Sequence, residues 1–137
     1  MADITFTAAS VKPGVNAVTI GGMFGATVTQ GLLVYSDADD SGDYKLADCT
    51  STTATATCVG VALSSGADGQ PCVIQTSGYL TCDNLTANTV YVLSAAGKPC
   101  PAADYSAVTD YLTVIGVAVS TTSLKLGINC AGTGKTG

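Results

Sequence analysis

The sequence contains no histidine, tryptophan, arginine or glutamate, and all ten of its acids are aspartate. Each absence removes a kind of chemistry. Without histidine there is no ordinary Ser/His or Cys/His couple to activate a nucleophile. Paired aspartates could serve as acid and base, but no pair stands in a glycosidase context. Gly21-Gly22-Met23-Phe24-Gly25 lacks the spacing and the strand-to-helix setting of a phosphate loop. The chain is therefore read as a non-enzyme, with no cofactor and no metal assigned. Five scattered lysines and a net charge of −5 leave no cluster to grip a phosphate backbone, and without arginine a principal reader of base edges is missing. Nucleic acid and anionic membranes are not expected partners. Long apolar runs are lacking too. The longest, at 111–119, is far short of the roughly 20 residues that cross a bilayer. The opening Met1-Ala2-Asp3-Ile4-Thr5 has neither a basic region nor a hydrophobic run, so no signal peptide is expected and synthesis is placed in the cytoplasm.

Charged residues make up only 11% of the chain, against about 25% in ordinary soluble domains. The surface must then consist of Ser, Thr, Asn, Gly and Ala with apolar atoms between them. Mean hydropathy is nevertheless +0.41, which implies that some apolar surface meets another protein. A length of 137 residues suits one domain.

β signals dominate. Short branched or aromatic segments at 4–7, 15–20, 32–35, 44–46, 59–63, 72–76, 79–82, 90–93, 112–119 and 124–128 are separated by Gly, Asp and Ser turns. Leu124, Leu126 and Ile128 alternate with Lys125, Gly127 and Asn129, the mark of a half-buried strand. The expected fold is all-β: a single-domain β-sandwich or β-barrel with at most two short helices, placed at 48–57 and 104–111. Val34, Val61, Leu63, Val92, Val117, Val119, Leu126 and Ile128 are its expected core.

One pattern is written twice. Ala47-Asp48 stands eleven residues before Val59-Gly60-Val61-Ala62, and Ala103-Asp104 stands eleven before Ile115-Gly116-Val117-Ala118. Upstream, Leu33-Val34-Tyr35-Ser36 is echoed by Tyr91-Val92-Leu93-Ser94. Two copies point to a pseudo-symmetric domain, because a solenoid needs three or more. The expected organisation is an N-terminal arm at 1–14, a β domain at 15–130 with related halves at about 31–78 and 88–130, and a flexible tail at 131–137. Gly60 and Gly116 should occupy equivalent places where a side chain would strike a neighbouring strand.

The sharpest local motif runs from Asp37 to Asp48. Oxygen ligands at positions 1, 3 and 5, Gly42 at 6 and a carboxylate at 12 give the spacing of a calcium loop. The entering segment is a strand, however, and position 12 is Asp rather than bidentate Glu, so an acidic β-turn accounts for the same residues. Six cysteines (Cys49, Cys58, Cys72, Cys82, Cys100 and Cys130) allow fifteen pairings and contain no Cys-x-x-Cys. Cys72 and Cys82 flank an expected hairpin bend at Ser77-Gly78 and are the first choice of pair.

A series of short motifs runs through nearly the whole chain in one order. It begins with Ala2-Asp3-Ile4-Thr5-Phe6-Thr7, Val11-Lys12-Pro13-Gly14, Gly31-Leu32-Leu33-Val34-Tyr35 and Tyr44-Lys45-Leu46-Ala47-Asp48. Val59-Gly60-Val61-Ala62-Leu63, Gln75-Thr76-Ser77-Gly78, Ile115-Gly116-Val117-Ala118 and Leu124-Lys125-Leu126-Gly127-Ile128 continue it. In this series the chain resembles the capsid cement, or head decoration, proteins of tailed bacteriophages. The resemblance implies a compact β domain on the outside of an icosahedral head, made in the host cytoplasm and stabilising the expanded shell. Its partners would be the major capsid protein and further copies of itself, a homotrimer being favoured and a dimer the alternative. The six cysteines and the Thr-rich 50–57 depart from the family's pattern. Ile4 and Phe6, on one side of an extended arm, are the expected interface residues, since a terminal apolar strand can add to a partner's sheet. The alternative function is a calcium-dependent adhesion or glycan-binding β module held by 37–48.

Overall fold

Ten strands and a few short helical turns form the domain in the computed structural model, which describes residues 3–50, 53–104 and 111–134. The strands are β1 (Lys12–Pro13), β2 (Val18–Met23), β3 (Leu33–Asp37), β4 (Asp43–Leu46) and β5 (Gly60–Ala62). They continue as β6 (Pro71–Thr81), β7 (Val90–Leu93), β8 (Pro99–Pro101), β9 (Tyr111–Ala118) and β10 (Ser123–Gly134). One helix of four residues, α1 (Thr53–Ala56), lies within the first expected helical segment. The second falls largely on 105–110, outside the described residues.

The strands are ordered β4-β3-β5-β6-β10-β9-β7-β8, and β1 and β2 lie along β6. All strand-to-strand pairings are antiparallel. The result is a mostly-β domain whose sheet curls into a half-barrel. Its β2 end meets β4 through one parallel bridge, Phe24 to Tyr44. From the β6/β10 seam outward, the order reads alike in both directions.

β6 corrects one expectation. Residues 72–76 and 79–82 are one strand, not the arms of a hairpin. Gly78 has φ +84, and a Cβ there would stand 2.2 Å from the Asn16 carbonyl oxygen. The glycine lets the strand bend past a crossing chain instead of reversing it. Cys72 and Cys82 consequently lie at opposite ends of an extended segment and are not joined to each other. A second correction is β8, which the sequence hides behind Pro99-Cys100-Pro101. It is the last strand in the order, where proline's missing N–H costs no ladder bond.

Two cores result. The larger holds Phe6, Val11, Leu33, Val61, Leu80, Leu85, Tyr91, Val92, Leu93, Ile115, Leu124 and Leu126, with six smaller cysteine and alanine neighbours. The smaller, inside the curl, holds Phe24, Val28, Val34, Ala62, Cys72 and Ile74. Successive residues of β3 and of β5 therefore face different cores: Leu33 and Val61 one, Val34 and Ala62 the other. Of the expected core, Val34, Val61, Val92 and Leu126 are buried, and Leu63 and Ile128 are half-buried. Val117 and Val119 are instead exposed, at 39% and 48%. Val117 pairs with Lys125 on a face of β9 and β10 turned to solvent.

Gly60 and Gly116 each lie against a carbonyl of a neighbouring strand. A Cβ at Gly60 would stand 2.3 Å from the Gln75 carbonyl oxygen, and one at Gly116 would stand 2.1 Å from that of Lys125.

Candidate functional site

The expected interface arm is tied into its own domain. Phe6 is 6% exposed and Val11 2%, both in the larger core, and Ile4 packs against it half-buried. Polar contacts hold the rest of the segment. The Ile4 amide donates to the Pro99 carbonyl at 2.9 Å, and the Thr7 amide donates to Asp83 Oδ1 at 2.7 Å. Asn84 Nδ2 donates to the Thr5 carbonyl at 2.8 Å, and the Ser94 hydroxyl donates to Asp3 Oδ1 at 2.5 Å. Residues 4–7 form no strand. Phe6 thus faces inward, packed within the larger core.

The acidic turn folds around a lysine. Residues 38–40 make a single 3-10 turn capped by Asp37, whose carboxylate accepts from the Asp39 amide at 3.0 Å. Ser41 and Gly42 then take positive φ, 59° and 79°, which swings the chain into β4. Lys45 Nζ reaches back to Asp37 Oδ2 at 2.8 Å and Asp40 Oδ2 at 3.2 Å. The Lys45 ammonium, with the Asp39 amide, holds the Asp37 carboxyl below its ordinary range, and the two carboxylates raise the lysine. Asp48 stands apart from this group, accepting from the amide and hydroxyl of Thr50 at 2.8 and 2.6 Å. Among the described residues, no three His, Cys, Asp or Glu side chains converge on a point that could hold a metal ion.

The thiols are mostly core groups. Five are buried and Cys130 is exposed. Burial pushes Cys58 and Cys82 up to about 12 and raises Cys72 as well, so these sulfurs stay protonated and unreactive near neutrality. Two open grooves lie among the described residues. One of about 470 Å³ is lined by Gly14, Val15, Tyr79, Thr81 and Ser123. The other, of about 350 Å³, runs beside β3 between Tyr35, Asp37, Asp39 and Thr57. Its Asp37 is held ionised by Lys45 and cannot act as an acid at neutral pH.

What stands out is apolar surface. Val15, Val18, Ile20, Met23 and Val73 are exposed by 69, 52, 37, 42 and 43%, all on or beside β2. Val90, Val117 and Val119 form a second group, in which Val90 pairs with Val117. Five of the six residues of β2 are exposed and the sixth, Gly22, is half-buried. The sequence carries a signal for this region that motif reading passes over: no charged residue occurs anywhere between Lys12 and Asp37. Comparison with protein-family models, curated proteins and solved structures finds no match to the chain.

Proposed function

We propose that this chain is a structural virion protein that binds the outside of an icosahedral phage head and stabilises the expanded shell. The observation that carries the reading is the exposed apolar surface along β2 on a domain of very low charge. Such surface suits contact with other subunits, and short polar side chains around it lose little entropy when covered. The ordered series of motifs from Ala2 to Ile128 supplies the resemblance to cement proteins. Repeated over many copies, modest contacts stabilise the assembled state by mass action. The partners are then the major capsid protein and further copies of the chain, on the outer capsid surface. We also read the halves 31–78 and 88–130 as a duplicated unit and the curled sheet as a small barrel pinned at Phe24 and Tyr44. The mirrored strand order and the two glycines set against carbonyls support this.

The test is co-sedimentation with undecorated expanded heads of the cognate phage, followed by their heat stability. Saturable binding and a higher temperature of head disruption are expected. Failure to sediment with heads would overturn the reading. Calcium separates it from the adhesion alternative, because Lys45 already neutralises Asp37 and Asp40. The melting temperature should not move on calcium titration, whereas a rise of several degrees would favour the calcium-dependent module.

A further inference from the structure

We propose that β2 is a strand-addition edge whose occupant is β2 of a second copy of this chain, paired antiparallel about a two-fold axis. The contrast between the margins of the sheet carries the argument. A strand at a sheet margin offers unpaired N–H and C=O groups to any passing strand, and natural proteins block this with charge or proline. β4 carries Asp43 and Lys45, β8 carries Pro99 and Pro101, and β1 carries Lys12 and Pro13. The far half of β10 leaves β6 after Leu126 and packs against α1. β2 has neither charge nor proline in Val18-Thr19-Ile20-Gly21-Gly22-Met23, and it pairs with β6 on one side only. At its other side, contact with β4 begins only at the Phe24–Tyr44 bridge and the Tyr44 ring against Gly22. Among the described residues, nothing pairs with the other side of 18–21, which is left as an undefended edge.

Exposure of the side chains points the same way. Ile20 lies opposite the buried Ile74 and so belongs to the inner face of the curl, yet it is 37% exposed because no described residue covers its open side. Val18 and Val15 continue the apolar strip.

Charge selects the second copy and the direction of pairing. The C-terminal end of β2 adjoins the turn of Asp37, Asp39, Asp40 and Asp43, which stays net negative with Lys45 counted: a Cβ on Gly25 would stand 2.8 Å from Lys45 Cε and 3.1 Å from both Asp40 Oδ2 and Asp43 Cβ. The N-terminal end leads back to Lys12. Antiparallel pairing sets each copy's acidic corner toward the other's lysine end, whereas parallel pairing would bring two acidic corners together in a chain already at −5. A two-fold contact also closes on itself, consuming the edge in both copies so that addition stops at two. The contact supplies the interface for the dimeric alternative of the homo-oligomer in the reading above. It rests on that reading for its place on the head, but its test needs no heads.

The experiment is sedimentation of the purified full chain up to millimolar concentration. A reversible dimer is expected. Val18→Lys and Ile20→Lys, which set like charges against each other across the axis, should each weaken it by at least about tenfold. Val119→Lys, on the other exposed patch, should leave it unchanged. Circular dichroism checks that each variant is folded. In a Cys130→Ser background, Ile20→Cys should give a covalent dimer on copper-phenanthroline oxidation, and Val119→Cys should not. A wild-type monomer or trimer, or a dimer indifferent to both lysine variants and not crosslinked through position 20, would overturn the proposal. Heads bound by a monomer would leave the decoration reading standing and remove this contact alone. A dimer that ignores heads would do the reverse.

Discussion

Adding one methyl group to Gly116 should cost this protein a large share of its stability. The Cβ of Gly116→Ala would stand 2.1 Å from the Lys125 carbonyl oxygen, 3.0 Å from its carbon and 3.1 Å from Leu126 Cα. All three are backbone atoms of β10, a strand held by β9 on one side and β6 on the other. No flexible side chain can swing away, so relief requires moving a strand in the middle of the sheet. Overpacking of this kind costs about 1–3 kcal/mol, and each ladder bond lost with it adds about 1 kcal/mol, giving about 3–5 kcal/mol. For a domain of this length that lowers the melting temperature by roughly 10–15 °C. Gly60→Ala should behave alike, since its Cβ would meet the Gln75 carbonyl oxygen at 2.3 Å and Ile74 Cγ2 at 2.7 Å. Gly127→Ala is the internal control: nothing lies within 4 Å of its Cβ, and the change should stay within about 0.5 kcal/mol. Urea denaturation followed by circular dichroism measures all three on one scale, with unchanged m-values showing that only the native state was altered. If either buried glycine accepts alanine at a cost below about 1 kcal/mol, or if Gly127→Ala is equally damaging, the packing argument is wrong.

Phe6→Ala should lose about 3–5 kcal/mol, and removal of 2–12 should unfold the chain, because Phe6 and Val11 fill the larger core. A truncated protein that kept its native near-ultraviolet spectrum would refute this. Stability should also fall in alkali. Cys58 and Cys82 are raised to about 12 when folded, so from about pH 9 the unfolded chain sheds protons that the folded chain retains. The slope is about 1.4 kcal/mol per pH unit for each thiol until the folded state also ionises, and Cys58→Ala with Cys82→Ala should flatten it. A urea midpoint that does not fall between about pH 9 and 11 in the parent would refute that assignment. Finally, a bulky maleimide should label the native protein at Cys130 alone, the other five thiols reacting only after denaturant; rapid native labelling at any of those five would contradict their burial.

Much of the molecule was legible in its sequence. Branched and aromatic runs between Gly, Asp and Ser mark most of the strands, because extended chains with one buried side impose that periodicity locally. Gly60 and Gly116 announced a close backbone approach for the same local reason, and the missing histidine excluded His-based nucleophile activation before any geometry was known. Other features depend on which surfaces meet. Val61 and Val117 occupy matching places in the written repeat, yet one is fully buried and the other 39% exposed. β5 lies between two cores, whereas the corresponding face of β9 looks onto water, and no local pattern encodes that difference. Phe6 reads as a free terminal anchor until the sheet reveals the gap it fills. Ser77-Gly78 reads as a turn until Asn16 crosses beside it, where the glycine makes room and the strand runs on. Pro99-Cys100-Pro101 reads as a break until it becomes the outermost strand, where an absent N–H is harmless. Sequence determined which segments could be strands and which chemistries were out of reach. Tertiary structure decided which face of each strand was wet, because burial is a property of pairs of surfaces and not of either one alone.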